Sequence, residues 1–173
     1  IIFGPVTGAA PFREKFNRYL FNVRASYANE ATAIVKQFTQ VGLTKVAVFY
    51  QDDGLGNTVL GEIKKAAEAQ KFELIGFVKL DPKNPDFKAA AAQIEKLSPQ
   101  AVVMGTAGKS FSDLVKAVYN TPARPAYYGM SIVNSSGLAK ALGAQARGIV
   151  LSQVMPSLRD PSVSVVSEYL AVL

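Results

Sequence analysis

Apolar positions along the chain fall into two alternating kinds of segment. Short apolar runs stand at 45–50, 73–79, 101–104, 126–129 and 148–152. Between them lie longer stretches in which apolar residues return every three or four positions. Unbroken runs such as Val46-Ala47-Val48-Phe49-Tyr50 suit strands buried on both faces of a parallel sheet. The three-to-four spacing suits amphipathic helices, predicted over about 28–41, 57–70, 86–97, 110–120 and 136–142, with a helical tail from about 162 to 173. In the first of these, Ala31, Ile34, Val35, Phe38 and Val41 share one face. Ser26 and Asn29 can cap its start, Glu30 suits the first-turn dipole, and Gly42 takes the C′ role. Asn84 followed by Pro85 predicts the start of the third helix, and Ser110 with Asp113 has capping-box-like spacing for the fourth.

Strand–helix alternation of this kind predicts an α/β fold, a three-layer α-β-α sandwich on a parallel, flavodoxin-like sheet with 45–50 central. Residues before about 21 and after about 152 read as additions to that core. With 173 residues, 49% of them hydrophobic, the chain can bury a real core and is not disordered. No apolar run approaches the ~20 residues of a membrane span. The chain opens on Ile1-Ile2-Phe3 and closes on Leu173, as expected of a piece cut from a longer protein.

The net charge of +6 is spread over scattered lysines (Lys36, Lys45, Lys64, Lys65, Lys88, Lys96, Lys116, Lys140), the pattern of a solvated surface and not of a nucleic-acid face. Cysteine and histidine are absent, which excludes thiol chemistry, disulfides, most zinc sites and His-based triads.

Three strand ends carry small or polar residues where a ligand could approach: Asp52–Gly56, Gly105–Lys109 and Met130–Asn134. Glycine there permits close backbone approach, and helix N-termini offer free N–H groups. Ordinary βα turns want the same residues, so one such turn says little; three on one edge of a parallel sheet predict a site. Asp52-Asp53 at a strand end could hold Mg²⁺, as in receiver domains. The partners such a site needs are missing, since the third parallel strand ends in Gly105-Thr106 and the region after 148–151 offers Gln153. The plainer role for both aspartates is turn formation and helix N-terminal charge. Gly54-Leu55-Gly56-Asn57-Thr58 matches a dinucleotide fingerprint only in part, because Val59 stands where glycine is needed. No pair of residues is fixed by spacing as acid and base, and no enzyme or cofactor is expected.

Taken in order, FNVRASYANEA, KVAVFYQDDGLGNT, AVVMGTAGKSFSDLVKAV and RGIVLSQVMP resemble the solute-binding proteins of ABC transporters, branched-chain amino-acid type, with the type I periplasmic-binding fold. The most specific parts are the Phe-Asn-Val-Arg stretch with Tyr27 and Glu30, and the strand followed by D-D-x-x-G. The resemblance implies two βα lobes joined by hinge strands, with ligand held in the cleft. Residues 1–21 then correspond to the end of lobe one and the first hinge crossing, which Phe21 to Arg24 resembles; 22–151 to the ligand-binding lobe two; and 152–173 to the second crossing and the start of the return to lobe one.

Site residues implied by the likeness are Asp53, Gly54, Leu55, Thr106, Ala107, Met130 and Ser131. Leu55 stands where the family often has an aromatic residue, and Ser131 near a position that is often acidic and grips the ligand's ammonium group. The ligand expected in the cleft is an amino acid or a small or aromatic carboxylate. With the acidic partner replaced near Ser131, and Leu55, Ala107, Met130 and Ile132 as a more apolar wall, the carboxylate is preferred over an α-amino acid. The implied partners are a small-molecule ligand, the missing lobe one and ABC membrane subunits, with no nucleic acid, in a periplasmic or extracytoplasmic setting. Self-association of the isolated lobe is also expected. The competing readings are a receiver-like or ligand-sensing regulatory domain, and a phosphotransfer enzyme acting through Asp52 or Asp53.

Overall fold

Ser26 turns the extended entry segment into the first long helix. Its hydroxyl accepts from the Asn29 N–H, and the Asn29 side chain accepts from the Ser26 N–H, a reciprocal capping box. In the computed structural model, which describes residues 1–157 and 160–173, this helix α1 runs Tyr27–Gln40. It ends at Gly42, whose φ of 72° is open to glycine without strain. Before it, β1 (Ile2–Phe3) and β2 (Leu20–Phe21) form a separate two-stranded parallel pair.

The main sheet takes in β3 (Val46–Gln51), β4 (Leu74–Leu80), β5 (Ala101–Gly105), β6 (Ala126–Gly129) and β7 (Ile149–Leu151). Every pairing is parallel, in the order β4-β3-β5-β6-β7. That is the flavodoxin-like order expected. One detail differs: β3 is interior, paired on both sides, but β5 holds the middle.

The connecting helices are α2 (Gly54–Ala69), α3 (Phe87–Leu97), α4 (Gly108–Tyr119) and α5 (Ser135–Leu142), and α6 (Ser164–Ala171) follows the sheet. They cover both faces. On one, α1 and α2 bury Val35, Phe38 and Ile63 against Val46, Val48 and Val103. Phe38 meets Tyr128 edge-on at 4.9 Å. On the other, α3, α4 and α5 bury Ile94, Phe111 and Leu114 against Phe49, Val102 and Met104. β5 is buried along its whole length, as an apolar run between two helical layers should be.

Three helix starts differ from expectation. Asp86, not Asn84, caps α3 and accepts from the Ala89 N–H at 2.8 Å. Capping by Asp53 starts α2 at Gly54, earlier than 57. α4 starts at Gly108, where Ala107 holds the N-cap position without a capping side chain. Ser110 and Asp113 therefore lie inside α4, and Asp113 pairs with Lys109. Residues 158 and 159, within the expected return segment 152–173, lie outside the described residues.

Candidate ligand-binding edge

Parallel register brings the predicted turns together. Tyr50 pairs with Gly105, Met104 with Gly129, and Gly129 with Leu151, so β3, β5, β6 and β7 end side by side. Asp53, Gly54 and Leu55 follow β3, Thr106 and Ala107 follow β5, and Met130 and Ser131 follow β6.

The β3–α2 turn is closed by its own side chains. One Asp53 carboxylate oxygen accepts from the Gly56 N–H at 2.8 Å, and the other from the Gln51 side-chain amide at 2.5 Å. A Cβ on Gly56 would lie 1.9 Å from the Gln51 carbonyl oxygen, so no other residue fits without moving backbone. Asp52 accepts from the Asn57 amide at 3.0 Å and pairs with Lys79 at 3.3 Å. The Asn57 hydrogen bond first, then Lys79, holds its carboxyl below the usual carboxylate range. Both aspartates thus engage donors of this chain, in keeping with turn formation and capping. Gly54 opens α2 on the surface, and Leu55 is half-buried against the α1–α2 core.

At the neighbouring β5–α4 turn, Thr106 is buried and its hydroxyl faces the Gln51 side-chain oxygen at 3.5 Å. Gln51, the last residue of β3, therefore stands between Asp53 and Thr106. The first-turn N–H groups of α4 have no side-chain cap and carry the positive end of the helix dipole.

The β6–α5 turn departs from expectation. Met130 is 1% exposed and packs in the α1–α2 core, so its side chain is not part of an open wall. Its neighbour Ser131 is held by a buried ion pair. The Ser131 N–H and hydroxyl donate to Glu30 at 2.8 and 3.0 Å, and the Arg24 guanidinium donates to the Ser131 hydroxyl oxygen at 2.8 Å. Arg24 also pairs with Glu30, and the Ser152 hydroxyl donates to the second Glu30 oxygen at 2.5 Å. The Arg24 and Glu30 side chains are 7% and 3% exposed. All four acceptor positions of the Glu30 carboxylate are therefore taken. Tyr27 and Glu30 helped to carry the family resemblance, but nothing in the spacing links either to Ser131 or Ser152.

Beside these turns, Gly108, Lys109, Ile132 and Asn134 line an open groove of about 410 Å³ between α4 and α5. It takes in the far ends of two predicted turns, and Ile132 of the expected apolar wall, but none of Asp53, Gly54, Leu55, Thr106, Ala107, Met130 and Ser131.

Among curated protein sequences none matches this chain. Solved structures do. An extracellular ligand-binding receptor from Verminephrobacter eiseniae is 26% identical, with a TM-score of 0.84 over 99% of this chain and 49% of its own. A possible leucine/isoleucine/valine-binding protein from Rhodopirellula baltica is 27% identical, with a TM-score of 0.81 over 98% and 47%. A branched-chain amino acid ABC transporter protein from Thermus thermophilus with bound valine shares the fold at 16% identity, with a TM-score of 0.75 over 87% and 40%. The chain spans about half the length of such structures. A family model described as periplasmic binding protein matches residues 1–171, and the chain belongs to that family.

Proposed function

We propose that this chain is the second lobe of an extracytoplasmic solute-binding protein serving an ABC importer, and that the edge formed by Asp53–Leu55, Thr106, Ala107 and Ser131 is its half of the ligand cleft. Family membership and the likeness to ligand-binding receptors support a binding role and not a catalytic one. Exposed apolar side chains at Ile1, Phe3, Phe16 and Leu173 suit contact with the rest of lobe one, or with a second copy when that lobe is missing.

For ligand class, one observation carries the reading. The carboxylate nearest Ser131 is Glu30, and Arg24, Ser131 and Ser152 already satisfy it. A ligand ammonium would find no free counter-charge there, and burying it unpaired is costly. The uncapped start of α4 favours an anion instead. The ligand is then a small or aromatic carboxylate without an α-amino group. Thermal-shift measurements on the intact two-lobed protein test this, with stabilisation expected from 3-methylbutanoate or phenylacetate. Stabilisation by leucine, isoleucine or valine, with none from unaminated acids, would overturn it.

A further inference from the structure

Arg24 and Glu30 join parts of the chain that are remote in sequence. Arg24 donates to the carbonyl of Val6, to that of Ala25 at 3.1 Å, and to Glu30 and Ser131. Its guanidinium lies over the Tyr27 ring at 5.4 Å. Glu30 gathers Ser131 and Ser152. The pair therefore touches the segment where the chain enters the sheet domain, the segment where it leaves after β7, and the turn after β6.

We propose that Arg24 and Glu30 are positioning residues, coupling the Ser131 turn to the entry and exit segments so that ligand capture at this edge and movement of those segments are linked. This rests on the reading of the strand-end edge as a ligand site. The reason is reciprocity. If ligand binding shifts Ser131, the shared hydrogen bonds carry that shift to Arg24 and Ser152. Movement of the two segments shifts Ser131 by the same coupling. A fork-shaped guanidinium is needed, because the point charge of lysine cannot serve Val6, Glu30 and Ser131 together. Glutamine at position 30 would set an amide donor against donors that now meet a carboxylate.

The test is amide hydrogen exchange on the 173-residue chain for wild type, E30Q, R24K and S152A, with dissociation constants for 3-methylbutanoate and L-valine measured on the natural protein at 20 °C. Expected is a rise in exchange at the Ser131 amide in E30Q and R24K that is roughly tenfold larger than the rise at the β3 and β5 amides, which report the global loss of stability. Affinity for whichever compound binds should fall by a similar factor, and S152A should show a smaller effect of the same pattern. Exchange that rises equally at every amide, or affinity unchanged in folded variants, overturns the coupling. Should E30Q fail to fold, S152A decides: an unchanged Ser131 amide refutes the idea. If neither compound binds wild type, the ligand reading fails and the exchange pattern alone judges the coupling.

Discussion

The turns after β3 and β5 are neighbours on one edge, yet they are built on opposite plans. The first is self-satisfied: Asp53 caps α2, Gln51 clamps Asp53, and Gly56 lets the helix pack against the Gln51 carbonyl. The second ends in Thr106-Ala107 and leaves α4 without a side-chain cap. A capped helix spends its first N–H groups on its own chain, whereas an uncapped one keeps them available. The sequence Asp-Asp-Gly at the first turn invites attention to the carboxylates, but the plainer second turn is the better place for an anion.

Among changes to these two turns, breaking the closed one should have the largest effect. Gly56→Ala forces a Cβ into the Gln51 carbonyl, and chemical denaturation should show about 3 kcal/mol or more of lost stability. Asp53→Ala removes only the cap and its tie to Gln51, so a loss of about 1 kcal/mol is expected in the same measurement.

Converting the open turn into a closed one sharpens the contrast. Ala107 already has the extended backbone of an N-cap, with φ −138° and ψ 174°. Ala107→Ser should raise stability by about 0.5–1 kcal/mol while weakening binding of a carboxylate probe by calorimetry. Unchanged affinity in that variant would detach the anion reading from α4.

The smallest change is expected at Asp52, where both partners of the Lys79 pair are largely exposed. Its folded pKa lies below the usual 3.8, so what it contributes is present above that value and is lost as pH falls through the lowered folded value. Asp52→Asn should leave the melting temperature near neutrality almost unchanged and slightly flatten its decline in acid.

The helical spacing of Ala31, Ile34, Val35 and Phe38 and the unbroken run Val46–Tyr50 made the layers and parallel sheet legible, because burial enforces those periods. Helix starts were less legible. Asn84 and Asp86 are both good caps, and only backbone geometry chooses between them. Gly108, with φ of 60°, reads as loop although α4 begins there. In the candidate edge, strand-end position alone gathered Asp53, Thr106 and Ser131, since parallel strands end together. Burial of Met130 and the roles of Gln51, Arg24 and Ser152 were hidden, because local pattern does not say which way a turn residue points or what lies across the sheet.

The contacts around Glu30 also bear on the time course of folding. They span 101 residues to Ser131 and 122 to Ser152, and Arg24 reaches Ser131 across 107. Closing loops of that length is entropically costly, so adjoining βα units should assemble first and this clasp should fasten last. Removing one member of a buried ion pair typically costs about 3–5 kcal/mol. If the clasp is absent from the transition state, that loss falls on the unfolding limb of a chevron plot. Stopped-flow kinetics of Glu30→Gln should then show unfolding faster by roughly a hundredfold or more with refolding hardly altered, which would make this pair a determinant of how long the native state lasts.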